Sequence, residues 1–403
     1  MATLALPVLE TPPLAPARAR DLCTDCGVSR SSRADRCGHA CQFIHPRYAE
    51  LEEAVHGRSR GEDLDGSLFG VYRAMYRARL RPALAGAQWT GIATRLGERL
   101  LESGAVDAVL ATAAAPDDRW RPRPVLVRDP AAMRETRGMK MGFSPVLALL
   151  DEVARLGLTR IALIGIPCQV HALRALEREL GLERLYVVGT PCSDNTTTDR
   201  FHQFLARLTD HPERVTYCEF RPDFHVELRF EDGGVRRIPF IQLPIADLPP
   251  DFLPITCRSC YDYSNTLADL TVGYLAGEGD QWLVVRNTRG EELVRLLGDE
   301  LERGAITSHG ARRGAVRAFL GGLQRIADGL PVRRAPRWLK PVLAWAMPRF
   351  GPRGLEFARA RVEMKHLEGI VTLRRHRPRR TSRMIPPFAW ATAARYGLEG
   401  EPR

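Results

Sequence analysis

The sequence predicts an α/β fold: a mixed, largely parallel sheet with crossover helices, preceded by a cysteine-bearing N-terminal segment and followed by a basic, mainly helical C-terminal one. Three observations carry this. Short β-branched apolar runs alternate with helical patterns from residue 89 to about 208, the sequence form of parallel strands joined by crossovers. Two of these runs, IALIGIPCQ at 161–169 and LYVVGTPCS at 185–193, share the ending Gly-x-Pro-Cys, and in such sheets ligands bind beyond the carboxyl ends of the strands. Charge is uneven: residues 331–403 hold 17 Lys/Arg against 5 Asp/Glu, so the formal net charge of +11 belongs to the C-terminal segment.

The elements follow in order. Residues 1–20 read as a disordered Pro/Ala-rich lead-in, without the basic start of a signal peptide. Residues 21–60 carry four cysteines with little periodicity, as in a loop organised by what its cysteines bind. The core spans 61–213. WTGIATRLGERLLESG has helical spacing with a stop at Gly104, and VDAVLATA follows as a strand. RPVLVRD is a strand, and SPVLALLDEVARLG is a helix with Ser144 as N-cap and Pro145 at its first position. RIALIGIP, the helix CQVHALRALERELG, the strand LYVVGTP and a helix around TTTDRFHQFLARL complete the run.

Residues 214–300 complete the core in another style. VTYCEFRP and FHVELRFEDGGVRRIPF read as antiparallel strands, the latter turning at Asp232-Gly233-Gly234. ITCRSCYDY is a turn, LADLTVGYL a buried strand, and WLVVRNTRGEELVRLL a strand running into a helix. Residues 301–403 form the basic helical segment. Within it, PRWLKPVLAWAMPRF (336–350) places Trp338 and Trp345 among cations, which suits a membrane surface or a hydrophobic pigment. Its internal prolines speak against one continuous helix and favour a helix pair packed on the core.

The 44% hydrophobic and 27% charged composition is that of a soluble globular protein, and no apolar run is long enough to span a bilayer. The expected compartment is the cytoplasm, where stable disulfides are rare. Nine cysteines then call for another explanation, and their spacing points to metal binding. CTDCGVSRSSRADRCGHAC supplies Cys23, Cys26, Cys37 and Cys41, four thiolates for zinc or for an iron–sulfur cluster. His39 and His45 stand close enough to substitute as zinc ligands. Cys168 and Cys192 end the two echoing strands, and Cys257 and Cys260 form a distant CxxC. Zinc knuckles are usually local, so this dispersed set favours a cluster embedded in an enzyme core, the alternative being unrelated buried thiols. A thioredoxin-type CxxC would open a helix after a strand, which RSCYDYSN does not resemble. Cys218 reads as strand packing.

GIPCQVHALR, GTPCSDNTT, CRSCYDYSNTLADLTVGYL and VVRNTRGEEL together resemble the beta-subunit family of deazaflavin-reducing hydrogenases and its chlorophyll-pathway relatives, over residues 21 to 390. The segment CTDCG…CGHACQFI is similar to the pigment-reductase branch, with one departure: Ser29 stands where several relatives have a further cysteine. The resemblance implies an N-terminal iron–sulfur segment, FAD, two 4Fe–4S clusters held by the two cysteine sets, and reduced ferredoxin as electron donor. It implies a chlorophyllide-type tetrapyrrole substrate, first the 8-vinyl group of divinyl (proto)chlorophyllide reduced to ethyl, with 7-hydroxymethyl chlorophyll(ide) reduction as alternative. Thr90-Gly91 stands where the family has Gly-Gly, and TRGMKMG (136–142) offers Gly138 and Lys140 to flavin or phosphate. Gly165, Pro167, Gln169, Thr190, Asn195 and Arg286, at predicted strand edges, complete the expected flavin contacts.

A flavin converts single electrons into a hydride equivalent, and a proton must be supplied beside it. Asp262, next to Cys260, is the candidate donor, against the reading of a turn-capping carboxylate. The basic C-terminal segment suits acidic ferredoxin. A homo-oligomer and a peripheral contact with the photosynthetic membrane are compatible with the sequence. Two rivals remain: an electron-transfer subunit of a hydrogenase or dehydrogenase with no substrate of its own, and a zinc-containing nucleic-acid binder, although nucleic acid is not the partner expected here.

Overall fold

The computed structural model describes residues 22–221, 223–274, 280–331 and 334–398; the expected lead-in at 1–20 lies outside them. In chain order the strands of more than two residues are β1 (Ala74–Leu80), β2 (Ala108–Ala115), β3 (Asp118–Val127), β4 (Arg160–Gly165), β5 (Arg184–Gly189), β6 (Val215–Phe220), β7 (His225–Phe230), β8 (Val235–Pro239), β9 (Leu270–Tyr274), β10 (Gln281–Val285) and β11 (Leu301–Gly304). Eight of them form one mixed sheet in the order β11-β1-β10-β9-β5-β4-β2-β3. Its centre is parallel, β2 with β4, β4 with β5 and β5 with β9. Antiparallel pairs flank it on both sides. β6, β7 and β8 make a separate antiparallel sheet, the hairpin expected at Asp232-Gly233-Gly234 joining the last two.

The central strands are apolar on both faces because both are covered. Val109, Ala111, Ala162 and Val188 pack with Leu96 and Leu100 of the helix Ile92–Glu102. Their neighbours Leu110, Ile161, Leu163 and Val187 pack with Val170 and Leu173 of the helix Pro167–Leu176. The strand period of two thus divides the core into two layers, and each fully buried Leu or Val in them contributes about 1.5–3 kcal/mol.

The structure corrects several local expectations. Ser144 is not a cap: its Oγ accepts from the Thr112 hydroxyl at 2.9 Å. The chain then makes a 3-10 turn, Val146–Leu149, before the short helix Leu150–Arg155. The cause is tertiary, since the Leu147 amide that a cap would serve donates to the Cys26 carbonyl at 3.0 Å. ITCRSCYDY is not a plain turn but begins with a one-turn helix, Ile255–Arg258. Residues 340–350 form a single helix with Pro348 inside its last turn, and Trp338 and Trp345 are 75% and 54% exposed rather than packed on the core. No helix among the described residues is long and apolar enough to cross a membrane.

Candidate functional site

The two Gly-x-Pro-Cys turns leave the sheet at the same level, because β4 and β5 run parallel with Gly165 opposite Gly189. The Thr190 amide donates to the Gly165 carbonyl at 3.0 Å. Asn265 spans both turns, its Nδ2 donating to Gly165 O at 2.9 Å and to Thr190 O at 3.3 Å. Asn265 does this at φ +59, a left-handed conformation that Asn tolerates. A Cβ on Gly189 would stand 2.6 Å from Asn265 Cγ, so glycine is required for the staple to close.

Beyond these turns Cys168, Cys192, Cys257 and Cys260 rim one cavity. Burial pushes the thiols of Cys168 and Cys192 well above the ordinary range, Cys257 up to about 12 and Cys260 up to about 11. At Cys168, Cys192 and Cys257 neighbouring thiolates add to the shift. Four thiols buried against one another cannot ionise without a compensating cation, and metal coordination supplies one. Lys365 supplies part of it at Cys260, from outside the rim, while Asp194 outweighs it at Cys192 and Cys257. Burial opposes the Lys365 charge, but Asp194 and Glu368 outweigh that and hold it protonated. Its Nζ donates to Cys257 O at 2.6 Å and to Asp194 Oδ1 at 2.8 Å.

Cys23, Cys26, Cys37 and Cys41 rim a second cavity, with Ser29 on the same rim. Burial raises the Cys26 thiol strongly and the Cys41 thiol to about 11. His39 and His45, the alternative zinc ligands, stand off this rim; His39 Nε2 meets the Arg47 guanidinium instead. Among the described residues no three His, Cys, Asp or Glu side chains close on a single-ion position, and no disulfide joins the cysteines. Each set of four thiols lines one common cavity, and thiolates are the donors that an iron–sulfur cluster takes. The two cavities adjoin. Thr24 lines both and its hydroxyl bonds the Cys168 sulfur, while Gln42 Nε2 donates to Cys260 Sγ at 3.5 Å.

A larger cavity of about 390 Å³ lies over the carboxyl ends of β4, β5 and β9. Of the expected flavin contacts, Gly91, Gly138, Lys140, Gly165, Gln169, Thr190 and Asn195 line it. Gly91, at φ +90, starts the helix Ile92–Glu102 without a side-chain cap, so the first amides of that helix are open toward the cavity. Lys140 Nζ donates to the carbonyls of Thr136, Arg137 and Gly138 at 2.7, 2.6 and 3.3 Å, and burial lowers its pKa to about 8. An open helix start beside an ammonium is a fitting seat for an anionic cofactor. Ile166 and Asn195 line both this cavity and the rim of Cys168, and the Asn195 amide donates to the Cys257 sulfur.

Four expected residues are placed otherwise. Thr90 stands beside the cavity, accepting from the Leu80 amide at 3.0 Å and pairing with Gln281. Pro167 lines the cysteine cavity. Arg286 is an internal strut: its guanidinium donates to Phe69 O, Val71 O, Ser264 O and Thr271 Oγ1. Asp262 lies outside the large cavity, with both carboxylate oxygens accepting from the Thr266 amide as in a turn cap, and burial raises its pKa. The sequence reading missed Trp89, Phe220 and Tyr274 on the cavity wall. Tyr274 reads as strand filling, and its position at a parallel strand's carboxyl end was the available signal.

Residues 75–151 match the model of the coenzyme F420 hydrogenase/dehydrogenase beta subunit, N-terminal part, and residues 158–308 that of its C-terminal part. The chain belongs to this family. It is 36% identical over 396 residues to the chloroplastic 7-hydroxymethyl chlorophyll a reductase of Oryza sativa, covering 95% of this chain and 84% of that protein. An uncharacterised protein of Nostoc sp. is also 36% identical, over 94% of both chains. One of the subunits of the F(420)H(2) dehydrogenase of Methanosarcina mazei is 26% identical over 54% of this chain and 61% of its own length. The near end-to-end match places the family member on the pigment-reductase branch. The fold is shared with a chain of the F420-reducing [NiFe] hydrogenase complex of Methanosarcina barkeri, at a TM-score of 0.53 and 24% identity, over 59% of this chain and 84% of that one.

Proposed function

We propose that this chain is a ferredoxin-dependent reductase of chlorophyll-type pigments, carrying FAD and two 4Fe–4S clusters, that reduces the 8-vinyl group of divinyl (proto)chlorophyllide to ethyl. The observation that carries the reading is the series of three adjoining cavities: the first cysteine rim, the second, and the large cavity, joined by Thr24 and then by Ile166 and Asn195. Such a series suits single electrons entering at one end and a two-electron reduction at the other. FAD, when bound, supplies the conversion of single electrons into a hydride equivalent.

The chain's own residues then have separable tasks. Cys23, Cys26, Cys37 and Cys41 would hold one cluster, and Cys168, Cys192, Cys257 and Cys260 the other. The open amides of the helix Ile92–Glu102 and the Lys140 ammonium would take the cofactor's phosphates. Gln169, Thr190 and Asn195 would orient its ring. Lys140 Nζ and Tyr274 Oη keep protons on the cavity wall at neutral pH, Lys140 because its pKa is still about 8 and Tyr274 because burial raises its own. Much of the rest of the wall is apolar, Ile92, Ile164, Phe220 and Val272 among it, which suits hydride and proton addition across a carbon–carbon double bond.

The donor would dock on the C-terminal side. Leu373, Met384 and Ile385, which flank the basic stretch 374–383, pack in one cluster with Leu22 and Phe43 of the N-terminal segment. The same cluster takes in Cys41, Cys168 and Cys260, so an acidic ferredoxin drawn to these cations would approach on the side of the cysteine sets. Exposed Trp338, Val342 and Trp345 suit a peripheral contact with the photosynthetic membrane.

A second reading, reduction of a 7-hydroxymethyl pigment, is favoured by the match to the Oryza sativa enzyme. Both pigments, offered to anaerobic protein with reduced ferredoxin, separate the two. Conversion of the divinyl pigment is expected. Consumption of the hydroxymethyl pigment alone would replace the first reading with the second.

A further inference from the structure

One wall of the large cavity carries neither cysteine nor glycine loop. It consists of Trp89, from the loop before the helix Ile92–Glu102, Tyr274 at the end of β9, and Phe220 at the end of β6. Trp89 stands at φ +60, a left-handed conformation that bulky residues rarely adopt. Its side chain is only partly buried, so core packing does not account for the strain. The conformation is held by Glu219, buried on β6, whose Oε1 accepts from the Trp89 amide at 2.8 Å. Strain maintained by a buried carboxylate, which also bonds Tyr217, at a cavity wall points to use rather than accident.

The indole lies 4.8 Å from the Tyr274 ring at an angle of 37°. Tyr274 is backed by Phe357 at 5.4 Å, and Phe357 by Phe224 at 5.8 Å. Phe224 also has positive φ, +65. The wall is therefore a supported aromatic surface, with its outermost ring fixed from behind and its backbone fixed from the side. A surface of this kind matches a large, flat, conjugated ligand, which it can engage across a ring face at little entropic cost.

We propose that Trp89, backed by Tyr274, is the stacking wall for the macrocycle of a tetrapyrrole substrate, with Glu219 as its positioning residue; this rests on the pigment-reductase reading above. The test uses full-length protein loaded with iron and flavin, and chlorophyllide a as probe, followed by the shift of its Soret band on titration. Trp89→Leu is expected to raise the Kd about tenfold or more, as loss of a stacking partner does, with iron and flavin content unchanged. Trp89→Phe should restore most of the affinity. Glu219→Ala should weaken binding and Glu219→Gln, which keeps an acceptor oxygen, should not. Equal Kd for wild type and Trp89→Leu, both fully loaded, overturns the stacking wall and leaves the pigment-reductase reading standing. No Soret shift with loaded wild type overturns both.

Discussion

Cys23, Cys26, Cys37 and Cys41 come from one stretch of nineteen residues, whereas Cys168, Cys192, Cys257 and Cys260 are gathered from two strand ends and a one-turn helix. The first set sits among short turns and a four-residue helix, Cys37–Ala40. It is tied to the core through buried Val28 and Ala40, which pack with Leu147 and Val170, and through hydrogen bonds. Cys26 O accepts from the Leu147 amide, and His171 Nδ1 donates to Ala40 O at 3.0 Å. The second set is positioned by the register of β4 and β5, the Asn265 staple and the Lys365 ammonium, all of which belong to the folded sheet or its packing. A site built from one loop depends on what it binds; a site built on a sheet edge exists before anything binds.

The largest effect that tests this contrast is metal removal. Chelation under reducing anaerobic conditions should abolish turnover and open residues 22–47 to protease while β4 and β5 stay protected from hydrogen exchange. Loss of protection in both regions together would mean that the second set is no more preorganised than the first.

A single methyl group should separate the two regions next. Gly27 has φ +110, and a Cβ there would stand 2.4 Å from Ala148 N and 2.5 Å from Pro145 O. Gly27→Ala should therefore cost about 3 kcal/mol, lower the Tm and release iron from the first set only. Gly38→Ala, whose Cβ meets nothing within 4 Å, is the control and should change neither.

Acid provides a graded version. Burial lowers the His171 pKa to about 4. Because the unfolded chain binds that proton near pH 6.5, the stability due to neutral His171 is complete above 6.5 and is lost as the pH falls through about 4. The Tm of wild type should fall further over this window than that of His171→Gln. Equal falls would remove His171 from the attachment of the first set.

The smallest effect concerns the large cavity. Lys140, with a pKa of about 8, should lose its charge as the pH rises through that value. The affinity of flavin-free protein for FAD should then weaken, by about tenfold for one lost charged contact. Lys140→Met should start weaker and show no such dependence. A wild-type affinity that is flat from pH 7 to 9.5 would remove Lys140 from the cofactor's seat.

The contrast between the regions also explains what could be read from the sequence. The α/β alternation was legible, because apolar runs and helical patterns alternate, and it set Gln169, Thr190 and Asn195 near the carboxyl ends of β4 and β5; Gly138 and Lys140, in the loop after the 3-10 turn Pro130–Thr136, came only through the family resemblance. β1 and β11 were not assigned: AMYRARL and LERG mix charge with apolar residues, and their partners lie far away in the chain. Asp262 and Arg286 read as site residues because a buried strut and a reacting group require the same side chains; the structure gives both internal partners, Thr266 for one and four acceptor oxygens for the other. Trp89 was invisible for another reason. Its distinguishing feature is a backbone angle and the carboxylate that holds it, and neither is written in a local pattern.

The central claim is that two separate iron–sulfur clusters stand in series with a flavin. Its most direct test is iron and flavin quantification with EPR on anaerobically purified wild type, Cys26→Ala and Cys168→Ala. Wild type should carry the iron of two 4Fe–4S clusters and one FAD. Each variant should retain the iron of one cluster, the two should differ in the EPR signal that survives, and both should lose pigment turnover. Zinc in place of iron and flavin, or full iron in both variants, would contradict the account.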